Sequence, residues 1–247
     1  MPNFKKLLES TTNRLIAINV LVFFVMQNIF GDQRSGFELA FWLNPDFEIW
    51  QIVSSTFLHG GLGHLAFNML ALWSFGRVLE RVFGGRRFLI FYLACGVGAS
   101  LLHLAVSYYQ FQIIYQQLIS IGFSDVEMQN AISTFSVNSS SVEFSEEIKQ
   151  QFYDLWSLYG SAVVGASGSI YGVLVAFALL FPNFKIVLLF LPVPIAAKYF
   201  VPVLLLIDLT AGLTGITIFG NNIAHFAHIG GAIIGFILVQ YWLKQRQ

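Results

Sequence analysis

Five stretches of the chain, residues 15–31, 49–76, 88–124, 155–184 and 209–243, contain no Asp, Glu, Lys or Arg. A helix needs about 17 to 25 residues to cross the apolar core of a bilayer, and each stretch supplies at least that many. Soluble domains carry roughly a quarter of their residues as charges, whereas this chain of 247 residues is 11% charged and 56% apolar. It therefore reads as an all-α integral membrane protein that crosses the bilayer several times.

Gly, Pro and charge boundaries divide the apolar sequence into six expected helices near 14–30, 57–79, 88–107, 158–181, 199–217 and 224–242. On one side of that arrangement fall Lys5, Lys6, Arg14, Arg77, Arg81, Arg86, Arg87, Lys185, Lys198, Lys244 and Arg246, which is 11 of the 13 basic residues. Only Arg34 and Lys149 fall on the other. Cytoplasmic loops carry the excess of Lys and Arg, so both termini are expected in the cytoplasm, in a plasma or inner membrane. The connections 31–56, 108–157 and 218–223 then face outward.

The first apolar segment has no convincing small-x-small cleavage site after it and reads as a retained helix. The stretch 182–198, with three prolines, Lys185 and Lys198, reads as a cytoplasmic connection lying at the interface. Trp42 and Trp50 are expected interface anchors on the outer side. Residues 108–157 are polar and read as a long external insertion between helices three and four, partly helical and partly disordered. Asn138-Ser139-Ser140 inside it matches a glycosylation acceptor.

The formal net charge of zero and the lack of a basic stripe argue against a nucleic-acid partner. The lone Cys95 excludes an intramolecular disulfide and a cysteine-built metal site. The bilayer is the one partner that composition names, and oligomeric state is not legible.

Polar residues inside a membrane are costly unless they face a cavity or one another, so function is sought there. His64 and Asn68 lie four apart on one face of the second helix. In the fourth, Ser167 stands between Gly165 and Gly168, with Tyr171 one turn on; it is expected about nine residues into the helix, roughly 14 Å deep. The sixth opens with His225 and His228, and Gly231 and Gly235 continue that stripe. All three helices are entered from outside, so these groups share one level near the outer leaflet. Gly168-x-x-x-Gly172 and Gly231-x-x-x-Gly235 are patterns that let helix backbones approach closely. A serine, histidines and an asparagine supply the nucleophile, general base and oxyanion donors of acyl transfer.

At this point the residues resemble the rhomboid intramembrane serine proteases. GASG at 165–168 is similar to their GxSG motif, AHIGG at 227–231 to their AHxxG-type motif, and HLAFN at 64–68 to HxxxN. The resemblance covers the six-helix core from about 14 to 242 and implies a single rhomboid-like domain over 1–247. It implies that Ser167 is the nucleophile and His228 the base of a catalytic dyad. His64, Asn68 and the Ser167 N–H would form the oxyanion hole, with Tyr171 packed against His228. Glu80 would tie the second helix to its neighbours, and Gly231 and Gly235 would hold helix six against helix four.

Two features depart from the family pattern: Trp50 is followed by Gln51 rather than arginine, and the 108–157 stretch is long. Asp208 lies about ten residues, roughly 15 Å, from the cytoplasmic end of the fifth helix, a depth that allows it to orient the base, but it is expected to be a structural polar contact. His225 is the rival base, with a motif position that favours a supporting role, and His59 and His103 are expected to be structural. A zinc enzyme would want HExxH, and an aspartyl enzyme needs two embedded aspartates; neither pattern is present. The expected activity is cleavage of a transmembrane or membrane-anchored protein, favoured where the substrate helix is weak, with no cofactor and no metal. The rivals are an inactive rhomboid-like client binder and, further off, a small transporter or channel.

Overall fold

The computed structural model describes residues 9–30, 36–137, 144–188, 191–215 and 224–245. Helix α1 (Thr11–Phe30) leads through strand β1 (Leu39–Ala40) and a helical turn α2 (Gln51–Ser54) to α3 (Leu62–Ala71) and α4 (Arg77–Phe83). A π-helical turn at Leu72–Gly76 joins α3 to α4 without a break. Then come α5 (Gly85–Ser120), α6 (Asp125–Thr134), α7 (Glu146–Tyr159), β2 (Ala162–Val163) and α8 (Ser167–Leu180). A hairpin of β3 (Lys185–Leu188) and β4 (Leu191–Ala196) precedes α9 (Ala197–Thr214) and α10 (His225–Lys244).

Among the described residues, α1, α5, α9 and α10 are each long and apolar enough to cross a membrane. They turn large apolar side chains such as Leu21, Phe24, Leu213 and Ile237 outward. Water would penalise such a surface, and lipid does not. The protein is a nearly all-helical, multi-pass membrane bundle.

Lipid tails are as apolar as leucine, so helices associate there by close packing rather than by hydrophobic exclusion. The sequence meets this demand with glycine. A Cβ at Gly231 would stand 1.9 Å from the Gly168 carbonyl oxygen, and one at Gly235 would stand 2.6 Å from Gly172 Cα. Helix α10 thereby lies backbone to backbone on α8, and both pack along α5. Val173, Ala176 and Phe177 of α8 are almost fully buried as a result.

A second tie lies in the middle of α4. Glu80 Oε1 accepts the Thr11 N–H at 2.6 Å, while Oε2 accepts the Thr12 N–H at 2.9 Å and the Ser10 and Thr12 hydroxyls at 2.6 and 2.7 Å. One carboxylate thus caps the N-terminus of α1 from another helix, where the helix dipole favours negative charge. Burial alone would raise the Glu80 pKa, but the bonds from Ser10, Thr12 and Thr11 outweigh it and hold the carboxyl below its ordinary value. A depressed folded pKa contributes stability above the ordinary value of about 4.3, lost as pH falls through the folded one. Glu80→Ala is therefore expected to cost about 2 kcal/mol near neutrality. Thermal unfolding in detergent should also show less acid sensitivity below about pH 5 in the variant than in the parent.

Three segments differ from the sequence expectation. Helix α5 does not end near 107 but runs to Ser120, and its 36 residues rise about 54 Å, well beyond a core of about 30 Å. Its last turns join α6 and α7 in burying Phe111, Leu118, Met128, Phe152 and Leu155. The 108–157 stretch is thus mostly helical where described, with a core of its own. Positions 111, 114, 115 and 118 follow i, i+3, i+4, i+7 spacing, masked by Gln112, Gln116 and Gln117 between them.

The second difference is at 158–181, where the helix begins only at Ser167. The third is at 182–198, which forms an antiparallel hairpin pairing Lys185 with Ala196 and Ile186 with Ile195. Lys5, Lys6, Arg34, Arg246, the Asn138-Ser139-Ser140 sequence and the 218–223 connection lie outside the described residues.

Candidate active site

Ser167 is the first residue of α8 rather than a residue nine positions inside it. The preceding chain is extended: β2 pairs antiparallel with β1, Ala40 opposite Ala162 and Leu39 opposite Val163. Gly165 then turns with φ +135°, and its N–H donates to the Ser55 carbonyl at 2.9 Å. A side chain at Gly165 would be strained by that φ, and its Cβ would press on the His64 ring at 2.8 Å. The first N–H groups of a helix have no acceptor within it. A helix continuous from 158 would have consumed them, whereas the observed start leaves them beside the Ser167 hydroxyl at the positive end of the dipole.

His228, in the first turn of α10, sets Nε2 2.9 Å from Ser167 Oγ. Its ring stacks on Tyr171 of α8, with centroids 4.1 Å apart and planes 10° from parallel. On the far side of that ring, Nδ1 lies 3.0 Å from Asp208 Oδ1, contributed by α9. His225 Nδ1 reaches the same oxygen at 2.6 Å, and the Tyr171 hydroxyl donates to Oδ2. Asp208 is thus a hub for Tyr171, His225 and His228, where the sequence favoured a structural contact over an orienting one.

Asn68, one turn below His64 on α3, is buried, and its amide nitrogen has no hydrogen-bond partner among the described residues. His64 is exposed, and its ring meets that of His59 edge to face at 5.1 Å. Ser167, His228, His64 and Asn68 line one cavity of about 560 Å³. His103 stands apart from it, with Nε2 3.4 Å from the Ser107 hydroxyl.

Gln51 proves to be a loop fastener. It is buried, accepts the Ala40 N–H at 3.1 Å, and donates to the carbonyls of Gly36 and Asp46 at 3.0 and 2.7 Å. This pins the segment that carries β1, and β1 in turn holds β2 ahead of Ser167.

Asp208, His225 and His228 bring three donor atoms within 4.8 Å of one another. The imidazole-to-carboxylate spacings are those of hydrogen bonds; a tetrahedral ion with bonds of about 2.0 Å would hold its ligands about 3.3 Å apart. A hydroxyl touching an imidazole that is backed by a carboxylate, beside unpartnered donors, is equipped to attack a carbonyl.

A family profile described as the Rhomboid domain matches residues 46–245. The chain belongs to the rhomboid family. Among its relatives, rhomboid protease AarA of Providencia stuartii is 28% identical over 257 aligned residues, covering 94% of this rhomboid and 74% of that protein. Rhomboid protease GluP of Bacillus subtilis is 37% identical over 103 residues, 40% of this chain and 20% of GluP. The mitochondrial Rhomboid protein 1 of Saccharomyces cerevisiae is 28% identical over 193 residues, 78% of this chain and 42% of the yeast protein. This rhomboid thus spans less than half the length of the latter two. Its matched region contains every site residue from His64 to Gly235.

Proposed function

We propose that this rhomboid is a serine endopeptidase that cleaves a membrane-anchored protein within or beside its transmembrane segment, near the outer leaflet. The 2.9 Å contact between Ser167 Oγ and His228 Nε2, in the cavity that both share with His64 and Asn68, carries the proposal. Ser167 acts as nucleophile and His228 as general base, since a serine hydroxyl needs a base to attack at neutral pH. Asn68, His64 and the Ser167 N–H receive the developing oxyanion. The relatives named rhomboid proteases support the same activity. With the basic residues inside, both termini are cytoplasmic and the cavity opens outward.

The test is cleavage of a transmembrane reporter in liposomes, together with labelling by a fluorophosphonate, by the parent and Ser167→Ala. Cleavage and labelling by the parent alone would support the proposal. Cleavage that survives in Ser167→Ala would sink it, and a folded parent that neither cleaves nor labels would favour the client-binding reading. The oxyanion role has its own signature. Asn68→Ala is expected to lower kcat about 100-fold or more while leaving KM within a few-fold, because its bond forms in the transition state.

A further inference from the structure

We propose that Asp208 is the positioning residue of the site, selecting the tautomer of His228 that can accept the Ser167 proton. The inference rests on the protease reading above. A neutral imidazole carries one N–H, on either nitrogen, and the other nitrogen is an acceptor. An ionised carboxylate is acceptor-only, so Nδ1 of His228, 3.0 Å from Asp208 Oδ1, must present its hydrogen there. That leaves the lone pair on Nε2, the atom facing Ser167 Oγ at 2.9 Å.

Stacking on Tyr171 fixes the plane of the ring but does not distinguish its two nitrogens. Asp208 makes that distinction. It is itself held in place, buried on α9 at 4% exposure, with the Tyr171 hydroxyl on Oδ2 and the His225 imidazole sharing Oδ1. The residue that stacks on His228 therefore also orients the acid behind it. His225 completes the shell, since its Nδ1 serves Asp208 and its Nε2 has no partner among the described residues.

As Ser167 Oγ bonds to the scissile carbonyl carbon, its proton moves to His228 Nε2 and the ring becomes a cation. The Asp208 carboxylate, still ionised, faces that cation. When the C–N bond breaks, the proton passes from Nε2 to the leaving amine, and a water hydrolyses the acyl-enzyme by the same route.

Nitrogen-15 histidine spectra of the detergent-solubilised parent, compared with His228→Ala and His225→Asn for assignment, should show His228 in its Nδ1–H form. In Asp208→Asn that preference should be lost and kcat should fall about 10² to 10⁴-fold with KM within about threefold, as expected where a wrong tautomer disables the base. The Nε2–H form in the parent, or a folded Asp208→Asn whose kcat is within threefold of the parent's, would overturn the inference. Should Asp208→Asn fail to fold, the parent spectrum decides alone. Failure of the protease reading is separately visible as cleavage that survives Ser167→Ala.

Discussion

Ser167→Ala and His228→Ala are each expected to lower kcat on a transmembrane reporter by about 10⁵-fold or more, and the double variant is expected to lose little beyond either single. The two groups make one nucleophile, so removing either removes the whole attack, and losses within such a unit do not add. Activity left in both variants should be alike, since it comes from the oxyanion donors and substrate binding that neither change disturbs. Single-turnover cleavage in liposomes measures this, with thermal unfolding confirming that each variant is folded. Losses that multiplied in the double variant would mean that Ser167 and His228 act separately.

The second large effect is on the bundle itself. Gly231→Ala puts a methyl group 1.9 Å from the Gly168 carbonyl oxygen, a backbone atom with no rotamer to yield. Overpacking a core costs roughly 1 to 3 kcal/mol when side chains can adjust, and here α8 and α10 must move apart. Gly168 adjoins Ser167, and Gly231 lies three residues from His228, so separation also lengthens the catalytic contact. Gly231→Ala is expected to lower the unfolding temperature by about 5 °C or more and to reduce cleavage steeply. Gly63→Ala is the matched control: nothing lies within 4 Å of a Cβ there, and alanine in a helix is favoured by about 0.5 to 1 kcal/mol. Equal stability of the two variants would mean that α8 and α10 do not depend on that close approach.

The membrane bundle was legible because lipid forbids unpaired backbone and so imposes long uncharged helices on the sequence. The convergence of a serine with a histidine was legible because three entry points on one side put polar groups at one depth, and the choice of His228 over His225 came from the family resemblance. For Asp208 the depth was legible but the partner was not, because it enters from the other end of the bundle, and an acid alone in an apolar helix does not announce what it faces. The start of α8 was hidden for a different reason: residues 158–166 carry no charge and are apolar enough to read as part of the same span, despite Gly160 and Gly165. Pairing of β2 with β1, distant in sequence, holds them extended instead. Tertiary contact overrides local preference at a place where a helix must begin late enough to leave its first N–H groups beside Ser167.

That starting point also decides what becomes of the products on the proposed reading. Helix α8 has 14 residues and rises about 21 Å, so Ser167 stands about two-thirds of the way across a 30 Å core counted from Leu180. A substrate helix severed at that level is divided unevenly, with about six residues of its span leaving on one fragment and about 14 staying on the other. Fourteen apolar residues are too few to reach both surfaces, and the bilayer must thin around them or let the cut end sink. The intact helix matches the membrane and the stub does not. Hydrophobic mismatch therefore opposes rejoining of the two pieces and draws the longer one away from Ser167, freeing the site for the next chain.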